Sequence, residues 1–157
     1  MKHSLNRLLL TAVALTGLTA ACDDATDSVI PNARVSLELN TRTTGLPFEQ
    51  NGYQLVTTAP TAASYIGYGG VLIVRGYTST SEVYAFDLAC PVECSPKVRL
   101  TIEDGYKAVC TKCGSEFDMI RYGNPAPTSG AAAEQKLLLR RYNAYYSEAT
   151  YLLHVYN

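Results

Sequence analysis

The chain has 157 residues, 47% of them hydrophobic and 17% charged, with a formal net charge of −1. That length supports one domain with a real core, and the near-neutral charge gives no basic footprint for nucleic acid. Trp is absent and Tyr is abundant at twelve residues; with many Val, Thr and Leu this favours strands over helices.

The N-terminus, MKHSLNRLLLTAVALTGLTAAC, has a short basic start at Lys2 and Arg7 and an apolar run from Leu8 to Ala21. Such a run is too short for a spanning helix of roughly 20 apolar residues and is expected to be an export signal. It closes on small residues before Cys22, which resembles the lipobox of bacterial lipoproteins, although Thr19 stands where that family usually has Leu. The resemblance implies cleavage after residue 21, a lipid on Cys22, and a protein anchored to a membrane of the cell envelope, facing the periplasm or the cell surface. Removing the signal takes two basic residues and leaves a net charge of −3. Residues 22–33 (CDDATDSVIPNA) are polar, acidic and broken by Pro31, so they are expected to form a tether to a domain over 34–157.

Within that domain the strand signals follow one another. In ARVSLELN, Val35, Leu37 and Leu39 alternate with Ser36 and Glu38, and GYQLVTT is a second candidate. GGVLIVRGY is continuously apolar and suits a strand buried on both faces; SEVYAFDL puts Tyr84, Phe86 and Leu88 on one side. In KVRLTIEDGYKAVC, Val98, Leu100 and Ile102 alternate with Arg99, Thr101 and Glu103, and Asp104-Gly105 predicts a tight hairpin turn. YGNPAPTSGAAAEQ is expected to be a loop, and only AAAEQKLLLRR has a composition that also suits a helix. KLLLRRYNAYYSEATYLLHVYN predicts a closing hairpin turning near Ser147-Glu148. The expected fold is all-β, a small sandwich or barrel of about nine short strands.

The chemistry lies in four cysteines, Cys90, Cys94, Cys110 and Cys113, spaced C-x3-C-x15-C-x2-C. The Val98–Val109 hairpin brings the two paired-thiol loops to one end, where four thiolates make a tetrahedral site for zinc or iron. Gly114 lets backbone N–H groups approach the sulfurs. In an exported chain the same four residues could instead close two disulfides, such as Cys90–Cys110 with Cys94–Cys113.

The sequence from GGVLIVRG through SEVYAFDLACP and DGYKAVCTKCGSEFDM to SGAA and LLLRRY resembles a Rieske iron–sulfur domain, over roughly 69–157. Cys90 and Cys110 match that family's two cysteines, with seventeen residues between Val92 and Cys110; Gly114, Ser115, Phe117 and Asp118 match the tail of its second loop. The two cluster histidines are replaced: Val92 and Cys113 stand in their positions, and Cys94 is the nearest substitute ligand. His154, the one histidine beyond the signal, falls in the last strand. An all-thiolate [2Fe–2S] centre would sit near about −400 mV, well below His-ligated Rieske centres. Quinol oxidation and oxygenase chemistry therefore do not carry over, and no catalytic constellation is found. The resemblance implies a Ser115 hydroxyl donating toward sulfur.

The export signal lacks the twin arginine that accompanies folded, preloaded proteins. That favours zinc or another single metal ion, with an all-cysteine [2Fe–2S] electron carrier as the alternative and two disulfides as the third. The expected protein is a monomer held to the membrane by its lipid, a structural or binding module with an unidentified envelope partner. The tyrosines Tyr142, Tyr145, Tyr146, Tyr151 and Tyr156 are expected to fill sheet faces rather than to stack a ligand. Arg140 and Arg141, as strand neighbours, are expected to point apart.

Overall fold

The structure, a computed structural model, describes residues 28–44, 52–76, 78–79, 81–118 and 123–157. The signal segment and Cys22 lie outside the described residues. In chain order the elements are β1 (Val35–Asn40), the short helix α1 (Thr41–Thr44), β2 (Tyr53–Val56), β3 (Tyr65–Ile66), β4 (Val71–Arg75), β5 (Val83–Asp87), β6 (Thr101–Glu103), β7 (Lys107–Val109), β8 (Glu116–Asp118), β9 (Pro127–Ser129), α2 (Gly130–Gln135), β10 (Arg141–Ser147) and β11 (Leu152–Tyr156). The fold is all-β, as expected from composition and alternation. A seven-stranded antiparallel sheet, ordered β2-β4-β5-β10-β11-β1-β3, curls into a barrel-like layer, and a four-stranded sheet, β6-β7-β8-β9, stands against it.

Two cores result, and β4 and β5 are the wall between them. Leu72, Val74, Phe86 and Leu88 face the smaller sheet, where they meet Leu100, Ala108, Phe117, Ala132 and Leu139. Val71, Ile73 and Ala85 point the other way, into the curl of the large sheet, against Val35, Leu37, Leu39, Tyr142, Tyr146, Leu153 and Val155. A strand with both faces buried has no polar positions to alternate, which is why β4 reads VLIV over residues 71–74. β1 and β11, covered on one side only, keep the alternation, with Glu38 and His154 side by side on the outer face. His154 Nδ1 and Glu38 Oε2 are 3.6 Å apart on that face, so His154 is a strand-face residue.

The hairpin turn forms as the sequence predicts: Asp104 and Gly105 both take positive φ (52° and 73°), and Tyr106 N–H donates to the Glu103 carbonyl at 3.2 Å. The closing hairpin is also present, turning at residues 148–151. The expected loop before it differs. Pro127–Ser129 adds a strand to β8, and Gly130–Gln135 is a helical turn and a half. The reason is close packing: a Cβ at Gly130 would lie 2.3 Å from the Gly114 carbonyl oxygen, so this small-residue run is pressed onto the second cysteine loop.

The tyrosines divide. Tyr142 and Tyr146 are core residues, whereas Tyr145, Tyr151 and Tyr156 are exposed. Arg140 and Arg141 do point apart: Arg141 lies over the Tyr84 ring, 5.0 Å from its centre, while Arg140 reaches back to the N-terminal segment. That segment, residues 28–33, was expected to belong to the tether, yet it lies against the domain. Ile30 is fully buried. Arg140 Nε donates to the Ile30 carbonyl at 2.6 Å and Nη2 to the Ser28 carbonyl at 2.9 Å, while the Ser28 hydroxyl donates to the Leu138 carbonyl at 2.7 Å.

One buried charge holds the centre of the molecule. Asp87 ends β5 with no exposure to solvent. Its carboxylate accepts N–H bonds from Tyr68 (2.8 Å), Gly69 (2.9 Å) and Ala89 (2.7 Å), and an O–H bond from Tyr142 (2.6 Å). Only glycine fits the cradle: a Cβ at Gly69 would sit 2.5 Å from the Ala89 nitrogen. Asp87→Ala would leave three backbone donors buried and unpaired, and should cost about 3–5 kcal/mol in urea unfolding. Tyr142→Phe, which removes one donor, should cost about 1–2 kcal/mol. A loss below about 1 kcal/mol for Asp87→Ala would show that the network does not stabilise the fold.

Candidate metal centre

Both cysteine loops are set by short backbone bonds. The first leaves β5 and is closed by Cys90 N–H donating to the Val98 carbonyl (3.0 Å), beside an Ala89–Arg99 bridge. The second leaves β7 and is closed by Cys110 N–H donating to the Ser115 carbonyl (2.9 Å). Each begins with the same turn: the carbonyl of its first cysteine accepts the N–H four residues on, from Cys94 in one and Gly114 in the other, at 2.9 and 2.8 Å. Gly114 takes φ 68°, which a glycine adopts without steric cost.

These loops bring three of the four cysteines together. The Sγ atoms of Cys90, Cys110 and Cys113 all lie within 4.8 Å of one another, with Cys90 and Cys113 3.5 Å apart. Cys90 and Cys110 are fully buried, and Cys113 is half-buried. Cys94 stands apart. It is exposed, its backbone is in the left-handed region (φ 43°), and its thiol donates to the Val29 carbonyl at 3.6 Å. The Tyr68 hydroxyl holds its carbonyl at 3.0 Å. All four are free thiols, so neither disulfide of the Cys90–Cys110 and Cys94–Cys113 pairing is formed.

The donor set suits a metal. Three sulfurs bonded tetrahedrally to one ion at about 2.3 Å stand about 3.8 Å apart, inside the observed spread. Donors are already aimed at the sulfurs. Burial dominates at Cys90, and the neighbouring Cys110 and Cys113 add to it, pushing its thiol up to about 12, although the N–H groups of Val92 and Glu93 work against the rise. At Cys113 burial also pushes upward. The Ser115 hydroxyl and N–H, together with the two neighbouring cysteines, outweigh it and hold that thiol below its ordinary value. The Ser115 hydroxyl lies 3.1 Å from Cys113 Sγ while its oxygen accepts Ala132 N–H at 2.9 Å. One of its lone pairs takes that amide, and its one hydrogen is free to point at sulfur. An ion pair between Glu93 and Lys112 ties one loop to the other above the site.

Some of this was beyond sequence reasoning. Glu93, Lys112 and Tyr68 carry no motif. Asp87, which fixes where Cys90 begins, was signalled only as a lone acid in the apolar run VYAFDLAC. No family model, no curated protein and no solved structure matches the chain.

A metal must displace protons from these thiols, and acid keeps the protons on. Affinity should therefore rise with pH. Across about pH 6 to about pH 8, the logarithm of the zinc affinity should climb by about two to three per pH unit, read by competition against a chelator. A slope below about one would mean that the three thiols do not bind as a set.

Proposed function

We propose that this chain is a cell-envelope lipoprotein, anchored through Cys22, whose β domain holds a single metal ion on Cys90, Cys110 and Cys113 as a structural or binding module. The observation that carries the metal reading is the mutual approach of the three sulfurs. Zinc is the ion best suited: it takes thiolates, needs no assembly machinery, and supplies folding energy directly. With three protein ligands the fourth position is left for solvent or an incoming ligand, the pattern of an open site rather than a closed one. Cys94, held at the Val29 carbonyl, is outside that set. The relation to Rieske domains is part of the proposal as ancestry of the two-loop arrangement, without quinol or oxygenase chemistry.

One observation favours the alternative, an all-cysteine [2Fe–2S] electron carrier: the N–H and O–H donors around Cys90 and Cys113 are of the kind that tune iron–sulfur centres. Against it, a two-iron cluster divides its thiolates between two metals, whereas here three sulfurs crowd one point.

Elemental analysis and a visible spectrum on protein purified from its native envelope separate the two. One zinc per chain without colour supports the proposal; two irons with sulfide and a brown spectrum replace it with the electron carrier; no metal overturns both. Cys113→Ser and Cys110→Ser should abolish the stoichiometric ion and lower the melting temperature, while Cys94→Ser should leave the ion in place. Loss of the ion in Cys94→Ser would restore the four-cysteine centre expected from spacing. Cys22→Ser should move the protein from the membrane to the soluble fraction, and retention in the membrane would end the lipoprotein reading.

A further inference from the structure

The clamp on residues 28–33 fixes where the chain enters the domain. Ser28 and Ile30 are gripped by Arg140, Ile30 is fully buried, and the intervening Val29 carbonyl accepts the Cys94 thiol. The entry point is therefore against the first cysteine loop. Only five residues, 23–27, separate Ser28 from Cys22. Fully extended, the six Cα-to-Cα steps from Cys22 to Ser28 span at most about 20 Å.

We infer that the cysteine-loop end of the domain faces the membrane that holds the lipid, so that the metal centre is served from the bilayer side. The inference rests on the lipid anchor proposed above. Whatever way the domain rolls on its attachment, the pivot lies beside Cys94, and this end cannot leave the surface by more than the reach of that link. The other end is free to stand off. β10 starts beside Arg140 and runs away from it; its seven residues place the turn at 148–151 about 20 Å further out.

The near end presents one apolar side chain and one cation to solvent. Val29 is half exposed. Lys97, on the same loop as Cys94, is exposed and, among the described residues, forms no ion pair. Both are side-chain types that suit a phospholipid interface. A ligand for the open metal position would then be one presented at the membrane surface.

The test uses the full-length lipidated protein in vesicles of phosphatidylethanolamine and phosphatidylglycerol that carry a headgroup-attached quencher. A fluorescent amino acid replaces Lys97 in one version and Ala149 in another. Quenching should be several-fold stronger at position 97. A flexible spacer of about 20 residues inserted between Asp27 and Ser28 should erase most of the difference without touching the domain. Equal quenching at the two positions, or stronger quenching at 149, overturns the orientation; a difference that survives the spacer overturns the short link as its cause. The mass of the N-terminal peptide is read first. An unmodified Cys22 removes the anchor, and the orientation with it, while leaving the metal centre to its own tests.

Discussion

The buried carboxylate of Asp87 is the constraint on which the rest of the molecule depends. A charge without solvent contact is tolerable only when donors surround it, and here three backbone N–H groups and a tyrosine hydroxyl do so. The four donors come from three stretches: the glycine-rich turn before β4, the residue leading into Cys90, and β10 across the sheet. Satisfying one side chain therefore fixes where β4 begins, where β5 ends, and how β10 lies beside it. Ala89, whose N–H closes the set, is the residue before the first cysteine. The cysteine loops hang from a point that is electrostatically pinned.

From that point the two cores divide the work. The core inside the curled sheet is aliphatic, with the rings of Tyr142 and Tyr146 at its edge, and it carries no chemistry beyond holding β10, β11 and β1 together. The core between the sheets includes Cys90 and Cys110 among its members. Two of the three sulfurs are thus placed by hydrophobic packing before any ion arrives, and the loop bonds need only orient them. Such a site stands on loops that leave packed strands, an arrangement that would reduce the ordering cost of binding a metal.

Much of this was legible in the sequence, for reasons that can be named. Periodicity revealed β1 and the Val98–Val109 hairpin because each has one face to bury and one to expose. The unbroken GGVLIVRGY announced a strand between two cores. Asp104-Gly105 announced its turn because few other pairs accept two positive φ values in succession. The cysteine spacing found the right loops, and three of its four thiols converge. What the spacing could not carry was direction: Cys94 turns outward because its loop runs through a left-handed residue and its thiol meets the docked N-terminal segment, a partner 65 positions away. The same distance problem hid the clamp itself, since Ile30 and Arg140 look like a linker residue and a surface charge until the chain brings them together. α2 was half visible, as a helix-suited composition inside a Pro/Gly loop, because its start is set by contact with Gly114 rather than by a capping side chain.

The Ser115 hydroxyl has one more consequence. It stands between Cys113 Sγ and the amide of Ala132, at the beginning of α2. A change of charge on the sulfur alters how strongly the hydroxyl is polarised, and a polarised oxygen is a better acceptor for that amide. The backbone N–H of Ala132 is thereby a built-in reporter. A single nuclear resonance on a helix that touches no ligand carries the protonation and occupancy state of the sulfur centre.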